Sequence, residues 1–174
     1  MGVHLILIFL GIFLFLLFLQ ACIGYVELGT DGWIINIMQY LIAGDAFLLF
    51  IYTSALMFVL RFFAGPIVHR INPLGLLLLS AVLATIGLFM LGSVATGAAI
   101  IVAGTIYGIG KTFFWPTMLA VVSERFPKGG ALTLGAVGGV GMLSAGLLGG
   151  PGIGYKQDYF TTEALQRENP AVYQ

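Results

Sequence analysis

Charge is scarce in this sequence, and cysteine and histidine are scarcer still. Asp, Glu, Lys and Arg make up 8% of the 174 residues, with seven basic and seven acidic residues and a formal net charge of zero. This composition excludes an ordinary soluble domain and gives no sign of nucleic-acid binding or of a polybasic lipid anchor. The single cysteine, Cys22, excludes an internal disulfide, and the two histidines have no companions at metal-ligand spacing. We expect no metal, no cofactor and no enzyme activity, since no nucleophile–base pair is visible either.

Long apolar runs make up most of the chain instead. Hydrophobic residues account for 60% of it, and the mean hydropathy is +1.07. Five segments approach or exceed the length of about 20 residues that crosses a bilayer. They lie at 4–28, 45–64, 74–92, 97–122 and 131–150, and a polar C-terminal tail follows at 151–174. The sequence therefore predicts an all-α integral membrane protein, a polytopic bundle of about five transmembrane helices.

The connections between these segments differ in their basic residues, and this difference predicts the orientation. Segments 61–73 and 123–130 each contain two Lys or Arg residues, whereas 23–45 and 93–96 contain none. Because Lys and Arg accumulate on the cytoplasmic side, we expect a cytoplasmic N-terminus and an external tail. We expect the plasma membrane or a bacterial inner membrane as the location. A lipoprotein-like box at 19–22 offers a second interpretation, a cleaved signal, although no basic residue precedes the apolar run.

Lys111 is the only charged residue between positions 71 and 122. It lies fourteen residues from Gly97 and twelve from Ser123, roughly 20 Å from either helix end, and so near the midplane of the bilayer. An uncompensated charge at that depth costs about 2.5–3.5 kcal/mol. A solute is one expected partner, and a buried ion pair with Glu27 or Asp31 is the other.

Aromatic residues flank Lys111 at helical spacing. Tyr107 and Trp115 lie four residues before and after it, and Gly108 leaves room beside it. An ammonium between aromatic faces suits a hydroxylated or anionic small molecule, because Lys donates hydrogen bonds and aromatic faces stack on sugar rings. Pro116 is expected to bend or break this helix next to the site. The alternative for Trp115 is a packing or lipid contact.

Acidic residues and an amphipathic stretch follow the first apolar run. Glu27 is a further candidate for the solute site, where it would carry a coupling proton, and an interfacial capping role is the alternative. Asp45 fits the start of the second span, where a negative charge complements the helix dipole. Residues 33–40 either lie along the membrane surface or extend the end of a helix.

Glycine occurs twenty-five times, and much of it recurs at helical spacing. Small residues let helix backbones approach closely in lipid, where no hydrophobic force drives association, so these rows predict packing faces. Such faces also allow helices to slide during gating. The rows are Gly104 with Gly108, Gly135 with Gly139, Gly146 with Gly150, and Gly141 with Ala145 and Gly149.

The connection at 61–73 reads RFFAGPIVHRINP. It resembles the second copy of a loop motif of major facilitator superfamily transporters, a pattern near G-x-L-x-D-R-x-G-R. The matching positions are Gly65, Ile67 and Arg70, and the departures are His69, Asn72 and Pro73. The resemblance implies that Arg61, Gly65 and Arg70 belong to a cytoplasmic gate that biases a carrier between its inward- and outward-open states. Anchoring by positive charge is the alternative.

A second stretch, 104–158, is similar to spans ten and eleven of such a carrier. It combines the Lys111 helix with the short basic connection 123–130 and a glycine-rich helix that ends in GGPGIG at 149–154. The resemblance implies that the five segments are spans seven to eleven of a twelve-span protein. The N-terminal half or another subunit would then be the missing partner, beside the lipid bilayer.

Two functions are expected from these observations. By the resemblance, the chain is part of a secondary transporter that moves a small polar solute, similar to a sugar or a nucleoside, by alternating access. The alternative belongs to another class: a small membrane scaffold or assembly protein that transports nothing. In that case the glycine rows would be interfaces between subunits, and Lys111 would be a structural residue.

Overall fold

The computed structural model describes residues 2–41, 46–93 and 98–169. These residues are almost entirely helical, and no strand occurs in the described ranges. In chain order the α-helices are α1 (Gly2–Gly24), α2 (Thr30–Leu41), α3 (Ala46–Phe62), α4 (Ala64–Arg70), α5 (Pro73–Ser93), α6 (Ala98–Thr112), α7 (Phe114–Arg125), α8 (Gly130–Leu143) and α9 (Gly150–Glu168). A first π-helical segment, Tyr25–Gly29, joins α1 to α2, and a second, Ser144–Gly149, joins α8 to α9.

Four of the resulting helices are long and apolar enough to cross a membrane, and they pack as a bundle. They run over Ile6–Asn36, Pro73–Ser93, Ala98–Arg125 and Gly130–Glu168. The predicted all-α membrane bundle is therefore confirmed. The predicted second span, 45–64, corresponds to the shorter apolar helix Ala46–Phe62.

Two helices continue beyond the ends that hydropathy predicts. The first does not end at 28 but passes through the π-helical segment to Leu41, and the last does not end at 150 but runs to Glu168. Of the two alternatives for 33–40, the extended helix end is thus the one observed. Hydropathy ends a segment where its side chains become polar, whereas a helix ends where its backbone hydrogen bonds end. Asp45 and the turn at 94–97 lie outside the described residues.

Glycine brings the backbones of α5 and α6 into direct contact. A Cβ atom built on Gly87 would lie 2.6 Å from the Cα of Tyr107, and one built on Gly110 would lie 2.9 Å from the Cα of Ala84. No side chain fits between the two helices at these points. In lipid, such close approach supplies the van der Waals contact that holds neighbouring helices together.

Only part of the predicted glycine rows forms packing faces. Gly104 and Gly108 lie against side chains of α3, Gly141 lies against α1, and Gly149 meets Gly29 of the first π-helical segment. The prediction is confirmed for these four. The remaining glycines of the rows face no other helix of the described chain, since an added Cβ would have open space: Gly135, Gly139, Gly146 and Gly150.

Alanine in place of Gly87 should loosen the contact between α5 and α6, because one of the two backbones must shift to admit the new Cβ. Overpacking of this kind costs about 1–3 kcal/mol. Gly92→Ala on the same helix is the matched control, since a Cβ there meets nothing within 4 Å. We expect thermal unfolding in detergent at a lower temperature for Gly87→Ala alone. Equal midpoints would show that the two helices do not pack this closely.

Candidate functional site

Four charged side chains from four different elements form two neighbouring ion pairs, each of which joins a buried residue to a more exposed partner. The Lys111 ammonium of α6 lies 2.5 and 2.7 Å from the two carboxylate oxygens of Asp31 in α2. The Nη2 of Arg61 in α3 donates to Glu27 in the first π-helical segment at 3.0 Å. Lys111 is 0% exposed and Glu27 is 3% exposed. Of the two expected carboxylate partners of Lys111, Asp31 is the one that binds it.

Tyr107 completes the surroundings of Lys111. It lies one helical turn before Lys111, and its ring centroid is 5.3 Å from the ammonium, within reach of a cation–π interaction. Its hydroxyl donates to the carbonyl of Val26, inside the first π-helical segment, at 3.4 Å. The predicted neighbours Lys111 and Tyr107 are therefore together, and both belong to the buried contact between α6 and the first helix.

Pro116 breaks the Lys111 helix as expected, and Arg61 binds at the break. Proline has no N–H, so the carbonyl of Thr112, four residues earlier, lacks its helical donor. The Nε of Arg61 donates to that carbonyl at 3.2 Å. The backbone departs from helical geometry at Phe113, with φ −101° and ψ 0°, and α7 begins at Phe114. One guanidinium thus pairs with a buried carboxylate and replaces a missing amide donor.

This position of Arg61 corrects the prediction of a cytoplasmic loop residue. Arg61 lies in the last turn of α3, and its guanidinium reaches the level of Lys111, because Thr112 is the next residue in α6, while 41% of its side chain stays exposed. The rest of the 61–73 segment is also largely helical. Gly65 and Arg70 lie in α4, both exposed, and neither takes part in the two ion pairs. The cost of burying Glu27 without a partner explains why Arg61 lies beside it.

The room predicted beside Lys111 is filled by packing. A Cβ on Gly108 would lie 3.1 Å from a methyl group of Leu56 in α3. The ring of Trp115 lies against α8, where a Cβ on Gly141 would be 2.9 Å from a ring carbon. Of the four predicted solute-site residues, Lys111, Tyr107 and Glu27 belong to the charged cluster, and Trp115 makes a packing contact.

Sequence reasoning missed two buried polar residues near this cluster. Gln20 and Thr117 are buried, and neither the Gln20 amide atoms nor the Thr117 hydroxyl has a hydrogen-bond partner among the described residues. The second carboxylate oxygen of Glu27 is also buried and has no hydrogen-bond partner among the described residues. A signal was available for Gln20, the one amide in the first apolar run and two helical turns before Glu27. These groups can hydrogen-bond a water molecule or a polar solute that enters the bundle.

Two grooves in the described part of the chain lie away from the ion pairs. An apolar groove of about 450 Å³ runs between α1 and α5, and it is lined by residues such as Cys22, Leu77 and Leu88. A polar groove of about 540 Å³ lies between α2 and α9. Neither Lys111 nor Glu27 lines either groove. In the described ranges, no three His, Cys, Asp or Glu side chains converge as metal ligands would.

Removal of one charge of the Asp31–Lys111 pair should cost far more than removal of both. Lys111→Met or Asp31→Leu leaves a charge unpaired in apolar surroundings, which costs about 3–5 kcal/mol, and the double variant should recover most of that loss. The control is the exposed pair Glu163–Arg167 on α9, where the same cycle should yield at most about 0.5 kcal/mol. Denaturant unfolding in detergent supplies the free energies. If the losses in free energy of unfolding caused by Lys111→Met and Asp31→Leu simply added in the double variant, the pairing would be contradicted.

The bond between Arg61 and the Thr112 carbonyl should matter only while proline occupies position 116. Alanine there regains the N–H that donates to Thr112, so Arg61→Gln should cost about 1 kcal/mol less in a Pro116→Ala background. Pro127→Ala, outside the helices, is the control and should leave the cost of Arg61→Gln unchanged. Identical costs in all three backgrounds would show that Arg61 does not substitute for the missing donor.

Comparison with known proteins identifies no relative of this chain. It matches no family model, no curated protein and no solved structure. The likeness to the major facilitator superfamily therefore depends on the sequence motifs alone and stays a prediction. Structure and hydropathy together support an all-α integral membrane protein with two ion pairs inside its helix bundle.

Proposed function

We propose that the chain is part of a secondary membrane transporter of the major facilitator type that moves a small polar solute by alternating access. The observation that carries this proposal is that two ion pairs, Asp31–Lys111 and Glu27–Arg61, join the helices of an apolar bundle. Charges in membrane helices are costly to bury, and they typically mark solute or ion pathways.

The helix irregularities around the charges support the same proposal. The first π-helical segment contains Glu27 and ends immediately before Thr30, the first residue of α2. In the Lys111 helix, Arg61 donates a hydrogen bond across the break that Pro116 causes. π-helical turns occur frequently at functional sites, and transporters build their binding sites from interrupted helices near the midplane of the membrane. Here both irregularities contact the same ion pairs.

The chemistry of the pairs indicates how a solute would act. An ammonium donates up to three hydrogen bonds, and a carboxylate accepts several. A hydroxylated or anionic solute can therefore replace Asp31 as the hydrogen-bond partner of Lys111. The unpartnered atoms of Gln20, Glu27 and Thr117 offer further hydrogen bonds nearby. Breaking the Asp31–Lys111 pair would free α2 from α6, which is the helix movement that alternating access requires. A sugar or a nucleoside has the polar groups for this exchange.

The packing of the two helix extensions supports the proposed topology. The 23–45 connection and the tail at 151–174 are both predicted to be external, and α2 and α9 pack together, with Trp33 against Gly154. We propose that this end of the bundle faces outward and that the N-terminus is cytoplasmic, in a plasma membrane or a bacterial inner membrane.

A non-transporting scaffold is the second candidate, and one observation favours it. Lys111 is fully enclosed, and the spaces beside it at Gly108 and Trp115 are occupied by neighbouring helices. A buried ion pair that only holds helices together would have this appearance. In the scaffold, replacing the pair by apolar residues should preserve or raise stability.

The double variant Lys111→Met/Asp31→Leu separates the two candidates. We measure uptake of labelled glucose and uridine into vesicles prepared from source cells that express the protein in its full-length form. The proposal predicts loss of uptake with little loss of folded protein, and the double variant of the exposed pair, Glu163→Gln/Arg167→Gln, should retain uptake. Normal uptake by the Lys111→Met/Asp31→Leu protein would refute the site.

An immunoblot of source-cell membranes tests the proposed incompleteness of the transport unit. With an antibody against residues 155–168, a band well above 18.6 kDa would indicate a larger carrier that contains this chain. A band at 18.6 kDa would favour either the scaffold or a transporter assembled from separate subunits. Co-purification of a second membrane subunit would then distinguish between these two.

A further inference from the structure

The polar groove between α2 and α9 is a candidate binding site that is independent of the ion pairs. It encloses about 540 Å³, which lies within the usual range of small-molecule sites. From α2 it is lined by Trp33, Asn36 and Gln39. From α9 it is lined by Gln157, Asp158, Thr161 and Thr162.

The lining consists of side chains that both donate and accept hydrogen bonds. Each carboxamide offers one carbonyl oxygen and two N–H groups, and each threonine hydroxyl does both. Gln157 lines the groove, and its amide oxygen is buried with no hydrogen-bond partner among the described residues. A ligand that fits this lining needs several groups that both donate and accept, as hydroxyls do.

Trp33 adds an apolar face to this polar lining. Its ring edge lies against α9, because a Cβ on Gly154 would be 2.9 Å from two of its ring carbons. Glycine at 154 therefore lets the indole lie close to α9 at the edge of the groove. An aromatic face next to amides and hydroxyls suits a ring that carries C–H groups on one side and hydroxyls around its edge.

The charges of the groove exclude other ligand classes. In the part of the lining that the structure describes there is no Lys or Arg, and the Asp158 carboxylate would repel a phosphate or another anion. Among the described lining residues Asp158 is the one carboxylate, too few for a divalent cation, which takes six or more oxygen ligands. The lining is thus most complementary to a neutral, hydroxyl-rich molecule.

The position of the groove brings it close to the membrane surface. Its α2 residues lie two to eight positions beyond Asp31, roughly 3–12 Å along the helix axis. Its α9 residues, 157–162, lie in the polar segment that follows the last predicted span, which ends at 150. The groove therefore opens at the predicted external end of the bundle, where a dissolved sugar and a sugar headgroup of a lipid both have access.

We propose that this groove binds a neutral polyhydroxylated ring, such as a sugar, at the membrane surface. Binding here requires neither transport nor the ion pairs, so this inference does not rest on the proposed transport function. Asp158 would accept hydrogen bonds from two neighbouring hydroxyls, the amides would bind the remaining edge, and Trp33 would cover the apolar face.

Equilibrium dialysis tests the groove with the whole chain in phosphatidylcholine nanodiscs, which contain no sugar. The probes are labelled glucose, maltose and inositol. Gln157→Leu should weaken binding of the preferred probe about fivefold, the effect of one lost hydrogen bond. Gln166→Leu is the matched control, an exposed glutamine on the same helix outside the groove. Asp158→Asn, with Glu168→Gln as its control, repeats the test if Gln157→Leu fails to fold.

A second arm identifies the source of the ring. Nanodiscs that contain digalactosyl diacylglycerol are analysed by native mass spectrometry for glycolipid retained by the protein. Retention that depends on Gln157, without binding of the free probes, would assign the groove to a lipid headgroup, whereas binding of a free probe would assign it to a dissolved sugar. Absence of binding in both arms, or equal binding by Gln157→Leu and Gln166→Leu, would overturn the proposal.

Discussion

The cost of leaving a charge unpaired in an apolar bundle determines how the central helices are arranged. Glu27 and Lys111 are almost completely removed from solvent, and either charge alone would be strongly destabilising there. Each must therefore meet an opposite charge, and the partners come from other helices, Arg61 in α3 and Asp31 in α2. These pairings join the first helix to α3 and α6 at one level. Close contacts through glycine, such as that of α5 with α6, then fill the space around them.

Some features of the cluster could be predicted from the sequence because they follow from local chemistry. The isolated Lys111 requires a partner at its depth, Tyr107 lies one turn away on the same helix, and Pro116 cannot donate its hydrogen bond. The choice between Glu27 and Asp31 could not be predicted, because they lie one turn apart and the intervening π-helical turn changes the direction in which each points. Periodicity does not reveal such a turn.

Other features depended on tertiary contacts that a single sequence does not contain. Arg61 follows an apolar run, so counting basic residues near span ends assigns it to a loop, whereas the Thr112 carbonyl and the Glu27 carboxylate bind it against the bundle. Similarly, Gly141 and Gly139 look equivalent in the sequence. Only Gly141 faces a neighbouring helix, because the partner surface selects which side of α8 is covered.

The placement of both acids on one rod has a mechanical consequence. Residues 2–41 form one helix with a π-helical turn, roughly 60 Å long, and Glu27 and Asp31 project from it one turn apart. The cations that bind these acids belong to two other helices. Because both acids project from one helix, rotation of that helix about its axis displaces both acids in the same direction. The two ion pairs therefore act in parallel on one helix, and their strengths add to resist its rotation. Rotation of this helix must therefore break both ion pairs together or leave both intact.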